Sequence, residues 1–145
     1  MRRILRKPRS RFLKVFELFV ADAHSWLWYL AEDDRLGDEA KDIFEKTDDG
    51  DETVILPGIA VAESIYVVES HGYGVELSKI IEDLKKSRNY RMRSMDYQKV
   101  SQLVEDDRDL SIHDKIIVIT AEQLEADIIS KDEEIRSSAN QNVLW

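Results

Sequence analysis

The residues best suited to chemistry in this sequence are four acids: Asp22, Glu63, Asp114 and Asp132. Asp22 and Asp132 each follow a short apolar run typical of a buried strand, whereas the other two fall in segments with helical periodicity. Two carboxylates about 5 Å apart, at an effective dielectric constant of about 20, repel by roughly 3 kcal/mol, so four at one edge require a positive ion. All-oxygen ligation selects Mg²⁺ or Mn²⁺ rather than zinc, and such ions support phosphodiester hydrolysis.

Each acid also has a simpler structural explanation. Asp22 could cap the helix that follows it, Ser111 and Asp114 form an S-x-x-D capping box, and Asp132 could cap the turn "EEI". Glu63 interrupts the apolar stretch "LPGIAVAESIYVVES". On a helix it faces the packed side and needs a cation, or, in a slightly different register, it lines a solvent stripe. Taken singly, the cap is the better interpretation; the set of four favours a metal site.

Composition restricts the class of protein. The 145 residues fit one domain with a proper core, and no apolar run reaches the roughly 20 residues of a membrane span. The absence of cysteine suits a reducing compartment and predicts a cytoplasmic protein. The net charge is −9, yet residues 1–14 carry seven basic side chains and no acid. We expect this segment to be a basic N-terminal extension, either a solvated tail or a grip on phosphate, ahead of a single domain over 15–145.

The apolar pattern alternates between strands and helices. Strands are predicted over 15–21, 53–56, 90–95 and 127–130, with a terminal edge strand in "NVLW". Helices are predicted over 23–32, 38–46, 59–69, 75–87, 96–105 and 111–125. This order predicts an α/β fold, a three-layer α/β/α sandwich with a central, mostly parallel sheet. In such sheets ligands bind beyond the carboxyl ends of the strands, where Asp22 and Asp132 fall.

Three segments carry a family resemblance: "LFVADAHSWLWYL", "LPGIAVAESIYVVE" and "LSIHDKIIVITAEQLEADIISKDEEI". In this order and spacing the chain resembles the PIN-domain ribonucleases, particularly VapC-type toxins, over 15–145. In that family an acid ends the first strand, a Glu follows an "LP" turn, an Asp lies in an "HD" helix, and a last Asp follows a "T-x-D" strand end. The resemblance implies that Asp22, Glu63, Asp114 and Asp132 are the catalytic metal ligands, with Ser130 in place of the usual Thr.

The resemblance further implies Mg²⁺- or Mn²⁺-dependent cleavage of RNA, a homodimer and, for a toxin, a small antitoxin that blocks the site. Two departures concern substrate handling: Ala23 replaces the usual Thr or Ser, and the basic leader is longer than a typical family start. Lys131 is a candidate phosphate contact because it adjoins Asp132.

Other side chains and other functions are weighed against this interpretation. We expect Trp26, Trp28 and Tyr29 to pack in the core rather than stack on bases. We expect His113 either to pack or to support a ligand, rather than act as a base. The alternative function is a noncatalytic module of the same fold that binds a protein or RNA. The sequence has no D-x-D pair after the first strand, no acid in "VILPG" where a receiver would carry its phosphorylated Asp, and no glycine-rich phosphate loop. Phosphatase, phosphorelay and nucleotide-binding functions are therefore disfavoured.

Overall fold

A computed structural model describes residues 17–145. The strands are β1 Leu18–Ala21, β2 Thr53–Pro57, β3 Tyr90–Arg93, β4 Asp127–Ile129 and β5 Val143–Leu144. The helices are α1 Ala23–Leu30, α2 Asp38–Asp48, α3 Gly58–His71, α4 Leu77–Lys86, α5 Tyr97–Glu105, α6 Ile112–Leu124 and α7 Glu133–Ser138. The predicted basic extension, residues 1–14, lies outside the described residues.

The five strands form one parallel sheet in the order β3-β2-β1-β4-β5. The chain moves outward from β1 to β2 and β3 on one side, and then crosses to β4 and β5 on the other. Strand order therefore reverses beside β1, where Ala21 of β1 is paired with Ile129 of β4. The crevice that such a reversal opens lies beyond these two residues, at the carboxyl edge of the sheet.

Alternation along the strands builds a core on both faces of the sheet. Phe19 and Ala21 face one core, and Val20 between them faces the other. The first core also contains apolar side chains of α1, α2 and α3, and the second contains those of α3, α6 and α7. The predicted α/β/α sandwich is confirmed, and its sheet is parallel throughout the described strands.

Most predicted elements are present, with shifted ends. Gly72 ends α3 in a left-handed conformation (φ 63°), which a glycine adopts without the steric cost of a side chain. The third strand stops at Arg93 rather than at residue 95, and α4 begins at Leu77 rather than at residue 75. The segment predicted only as a turn after Asp132 is the short helix α7. Among the helices of residues 17–145, none combines the length and apolar content that a bilayer span requires.

Candidate active site

A cleft of about 570 Å³ opens at the carboxyl edge of the sheet, and all four predicted acids line it. Asp22 follows β1 and Asp132 follows β4, while Glu63 is carried by α3 and Asp114 by α6. Residues separated by up to about a hundred positions therefore converge at the strand-order reversal. The predicted convergence of the four side chains is what the structure shows; their role in catalysis remains a proposal.

Asp22 is held at both carboxylate oxygens. Its Oδ1 accepts a hydrogen bond from the backbone N–H of Ser25 at 2.9 Å, which caps α1, and its Oδ2 accepts one from the Ser130 hydroxyl at 2.5 Å. Burial raises the pKa of Asp22, and the hydrogen bonds from Ser130 and Ser25 oppose that rise without cancelling it. The charged form of this carboxylate is thus less favoured than that of an exposed aspartate.

Ser130 joins the two acids that follow the strands. Its side chain is fully buried, and its Oγ donates to Asp22 while accepting the backbone N–H of Asp132 at 3.0 Å. Asp132 in turn uses Oδ1 to accept the backbone N–H groups of Glu134 and Ile135, at 2.7 and 3.3 Å, and so caps α7. Among residues 17–145, no hydrogen bond reaches its Oδ2, which can therefore bind a ligand.

Asp114 lies in the first turn of α6. The Oγ of Ser111 accepts the backbone N–H of Asp114 at 3.2 Å, as the predicted capping arrangement requires. Burial raises the pKa of Asp114, and the negative charges of Asp132, Asp22 and Glu63 raise it further, against a hydrogen bond from Ser111 that lowers it. The negative charges of the other three acids therefore act on Asp114.

Glu63 faces the cleft, not the packed side of α3 as one of the two sequence interpretations held. Its side chain is 33% exposed, and its Oε1 lies 3.1 Å from Nδ1 of His113. The partner that Glu63 required is thus a histidine of α6, which precedes Asp114 in the chain. His113 supports an acid of the cluster by direct contact, in keeping with the role predicted for it.

The cluster carries more negative charge than the described side chains around it offset. Among residues 17–145, no lysine or arginine forms an ion pair with any of the four acids. Lys131 is the one permanent cation among the described side chains that line the cleft, and it is exposed. The raised pKa values of Asp22 and Asp114, in a cleft lined by further carboxylates, indicate a donor set that a hard divalent cation fits.

The sequence analysis missed one acid of this cluster, Glu134. A carboxylate oxygen of Glu134, one of Asp114 and one of Asp132 all lie within 4.8 Å of one another. The available signal was its spacing, two residues after Asp132 at the start of a helix, where side chains of the first turn crowd around the N-terminus. Among the described residues, the acids close enough to share one ion are therefore Asp114, Asp132 and Glu134, and Asp22 and Glu63 line the same cleft outside this group.

The aromatic side chains of α1 divide between core and cleft. Trp26 is buried, and Tyr29 stacks on Phe44 with ring centroids 4.8 Å apart, so core packing is confirmed for both. Trp28 is also largely buried, but it borders the cleft as well. The prediction of core packing alone was incomplete for this residue.

The raised pKa of Asp114 predicts how stability depends on pH. Between the ordinary pKa of 3.8 and the higher folded-state pKa, the folded protein binds more protons than the unfolded chain, so the free energy of unfolding falls as pH rises. Asparagine mimics the protonated form. In EDTA, we expect Asp114→Asn to match the wild type at the acidic end and to become the more stable protein as pH rises towards 7.

Urea unfolding of both proteins at several pH values between 4 and 7 measures this difference. A stability difference that does not change with pH, or that shifts in favour of the wild type, would contradict the electrostatic description of the cluster.

Comparison with known proteins agrees with this geometry. The family model described as PIN domain matches residues 19–140, whereas no curated protein matches the chain at a significant level. Similar solved structures include a toxin-antitoxin complex from Klebsiella pneumoniae, with 14% identity, a TM-score of 0.63, and 89% of this chain and 96% of that chain covered.

VapC20 from Mycobacterium tuberculosis, described as a toxin that cleaves the sarcin-ricin loop, is similar at 15% identity and a TM-score of 0.61, covering 83% of this chain and 94% of its own. VapBC2 from Rickettsia felis, solved with a DNA fragment from its promoter, is similar at 12% identity and a TM-score of 0.59, covering 88% and 97%. At these identities the solved structures establish a shared fold. With the family match spanning most of its length, the chain belongs to the PIN domain family.

Proposed function

We propose that this protein is a metal-dependent endoribonuclease whose site residues are Asp22, Glu63, Asp114 and Asp132. The observation that supports this best is the convergence of four carboxylates in one cleft whose described lining contains a single permanent cation, the exposed Lys131. Membership of the PIN domain family, a family of nucleases, also supports this proposal. The cytoplasm, which the lack of cysteine predicts, is the proposed location.

The four acids, joined by Glu134, would hold Mg²⁺ or Mn²⁺. Such an ion supplies positive charge that offsets the phosphodiester and favours loss of a proton from water. The protein's own part is to fix the ligands: Ser130 holds Asp22 and the Asp132 backbone, and His113 holds Glu63. Lys131 contributes a positive charge at the rim, where a phosphate of the bound strand would pass.

The test is cleavage of a mixed RNA pool in parallel samples with Mn²⁺, with Mg²⁺ and with EDTA. We expect discrete products with either ion and none with EDTA, restored when Mn²⁺ is added in excess. Identical product patterns in all three samples would reject the proposal.

We also propose that the nuclease is the toxin of a toxin-antitoxin pair. The support is its fold, which it shares with proteins described as toxins or as toxin-antitoxin complexes. A short neighbouring reading frame that encodes a DNA-binding protein, and that relieves growth arrest when co-expressed, would support this; growth unaffected by the protein alone would count against it.

A second copy of the chain is the proposed partner for the α5 stripe, formed by Tyr97, Val100 and Val104. These side chains share one helical face and are 93%, 44% and 82% exposed. In a dimer with a twofold axis, the stripe of one chain would pack against the same stripe of the second chain, and both stripes would be removed from water. We expect a dimer in sedimentation that Val104→Glu dissociates and Gln98→Glu, on another face of α5, does not; a monomeric wild type would contradict the proposal.

A further inference from the structure

The cleft is lined by aromatic side chains as well as by acids. His24, Trp28 and Trp145 form an aromatic wall: the centroid of Trp28 lies 5.6 Å from that of His24 and 5.8 Å from that of Trp145. His24 is exposed, Trp145 is partly exposed, and Trp28 is 8% exposed between them. The two outer rings thus offer surface to a ligand, and the inner ring supports them.

The wall is built to be rigid. The guanidinium of Arg35 lies 4.6 Å from the Trp28 centroid, and Arg35 is itself held by Asp33 at 2.7 Å and by the Tyr73 hydroxyl at 3.2 Å. Trp145 packs so closely on Gly37 that a Cβ there would lie 2.6 Å from Cδ1 of the indole. Gly37 has an ordinary φ of −69°, so this close approach, not its conformation, calls for glycine.

The chemistry of the wall also favours a ligand over simple packing. The indole N–H of Trp28 is buried and has no hydrogen-bond partner among the described residues, an arrangement that costs free energy and that phenylalanine would avoid. Lys131 lies 5.8 Å from the same ring and is exposed at the rim of the cleft. An aromatic surface beside an exposed cation is the combination that binds a base and its phosphate in single strands.

We propose that the aromatic wall receives an unpaired nucleobase next to the phosphate that is cleaved, so that the substrate is single-stranded at that point. This rests on the proposed nuclease function. The acids of the same cleft would face the phosphate while the base lies against Trp145 and His24. A paired base cannot present its face to the wall, so duplex RNA does not satisfy this site.

Binding of a short single-stranded RNA to Asp114→Asn protein, measured without metal by fluorescence anisotropy, tests the wall directly. Stacking on one base predicts that adding Trp145→Leu weakens binding about tenfold, whereas Trp145→Phe keeps most of it. An abasic site scanned along the RNA should weaken binding at one position with Trp145 present and have no effect there with Trp145→Leu. Equal binding by the leucine variant, or abasic losses of the same size in both proteins, would overturn the proposal.

Two further measurements keep the outcome interpretable. If Trp145→Leu fails to fold, Gly37→Ala displaces both the backbone and the ring of Trp145 while retaining the residue in the chain, and we expect the same loss of abasic sensitivity. In the otherwise wild-type protein, the leucine variant should lower kcat/KM for single-stranded RNA about tenfold and leave cleavage dependent on Mn²⁺. Metal-dependent cleavage that does not change with Trp145→Leu would contradict the role of the wall but not the nuclease function. If the effect of the abasic site depends on Trp145 but no RNA is cleaved, the nuclease function alone would be contradicted.

Discussion

The Asp114→Asn variant should cleave RNA about 1,000-fold more slowly than the wild type in saturating Mn²⁺. Asp114 shares its electrostatic field with Asp132, Asp22 and Glu63, so losing its charge weakens the site for a divalent cation at its centre. The fold should survive, because the Ser111 hydroxyl accepts the backbone N–H of residue 114, and asparagine retains that N–H. Initial rates on a labelled RNA measure the effect.

A matched control is Asp107→Asn, which removes the same charge from an exposed residue that does not line the cleft. We expect this control to retain the wild-type rate and Asp114→Asn to retain the wild-type far-UV spectrum. A rate within tenfold of wild type for folded Asp114→Asn would show that this acid does not take part in the chemistry.

The second large effect is expected at Ser130, which touches no substrate in our account. Ser130→Ala removes the hydroxyl that donates to Asp22 and accepts from the backbone of Asp132, so both acids lose their shared support. Losing such support around a metal ligand typically lowers affinity or activity by 10- to 100-fold, and we expect about that loss in both Mn²⁺ affinity and cleavage rate. Ser130→Thr keeps the hydroxyl and should recover most of it.

The threonine variant separates positioning from packing. Ser130 is fully buried, so a packing role would make the larger threonine worse than alanine, whereas a hydrogen-bonding role predicts the reverse. Equal activities of the alanine and threonine variants would contradict the positioning role.

Much of the fold follows from local pattern. The alternation of Phe19, Val20 and Ala21 between the two cores is readable as a buried strand, and Asp22 directly after it is both a helix cap and a cleft residue. The sequence left open whether these acids are helix caps or site residues. In the structure the two roles are compatible, because Asp22 and Asp132 each cap a helix and also line the cleft.

Other parts of the site depend on packing that no local pattern encodes. The contact between Glu63 and His113 joins residues 50 positions apart and exists because α3 and α6 meet at the cleft. Trp145 lies in the wall because it follows the edge strand β5 and because Gly37 has no side chain to exclude it. Glu134 lies in the acidic cluster because it is carried by the short helix α7. Periodicity places such residues on elements but does not say which elements touch.

Calorimetric titration of Mn²⁺ into the wild type and into Asp114→Asn, at pH 7 and in the absence of RNA, tests the central claim most directly. We predict saturable binding to the wild type at submillimolar concentrations and binding at least about tenfold weaker in the variant. Equal binding heats for the two proteins, or none for the wild type up to millimolar Mn²⁺, would show that the converging carboxylates do not form a metal site.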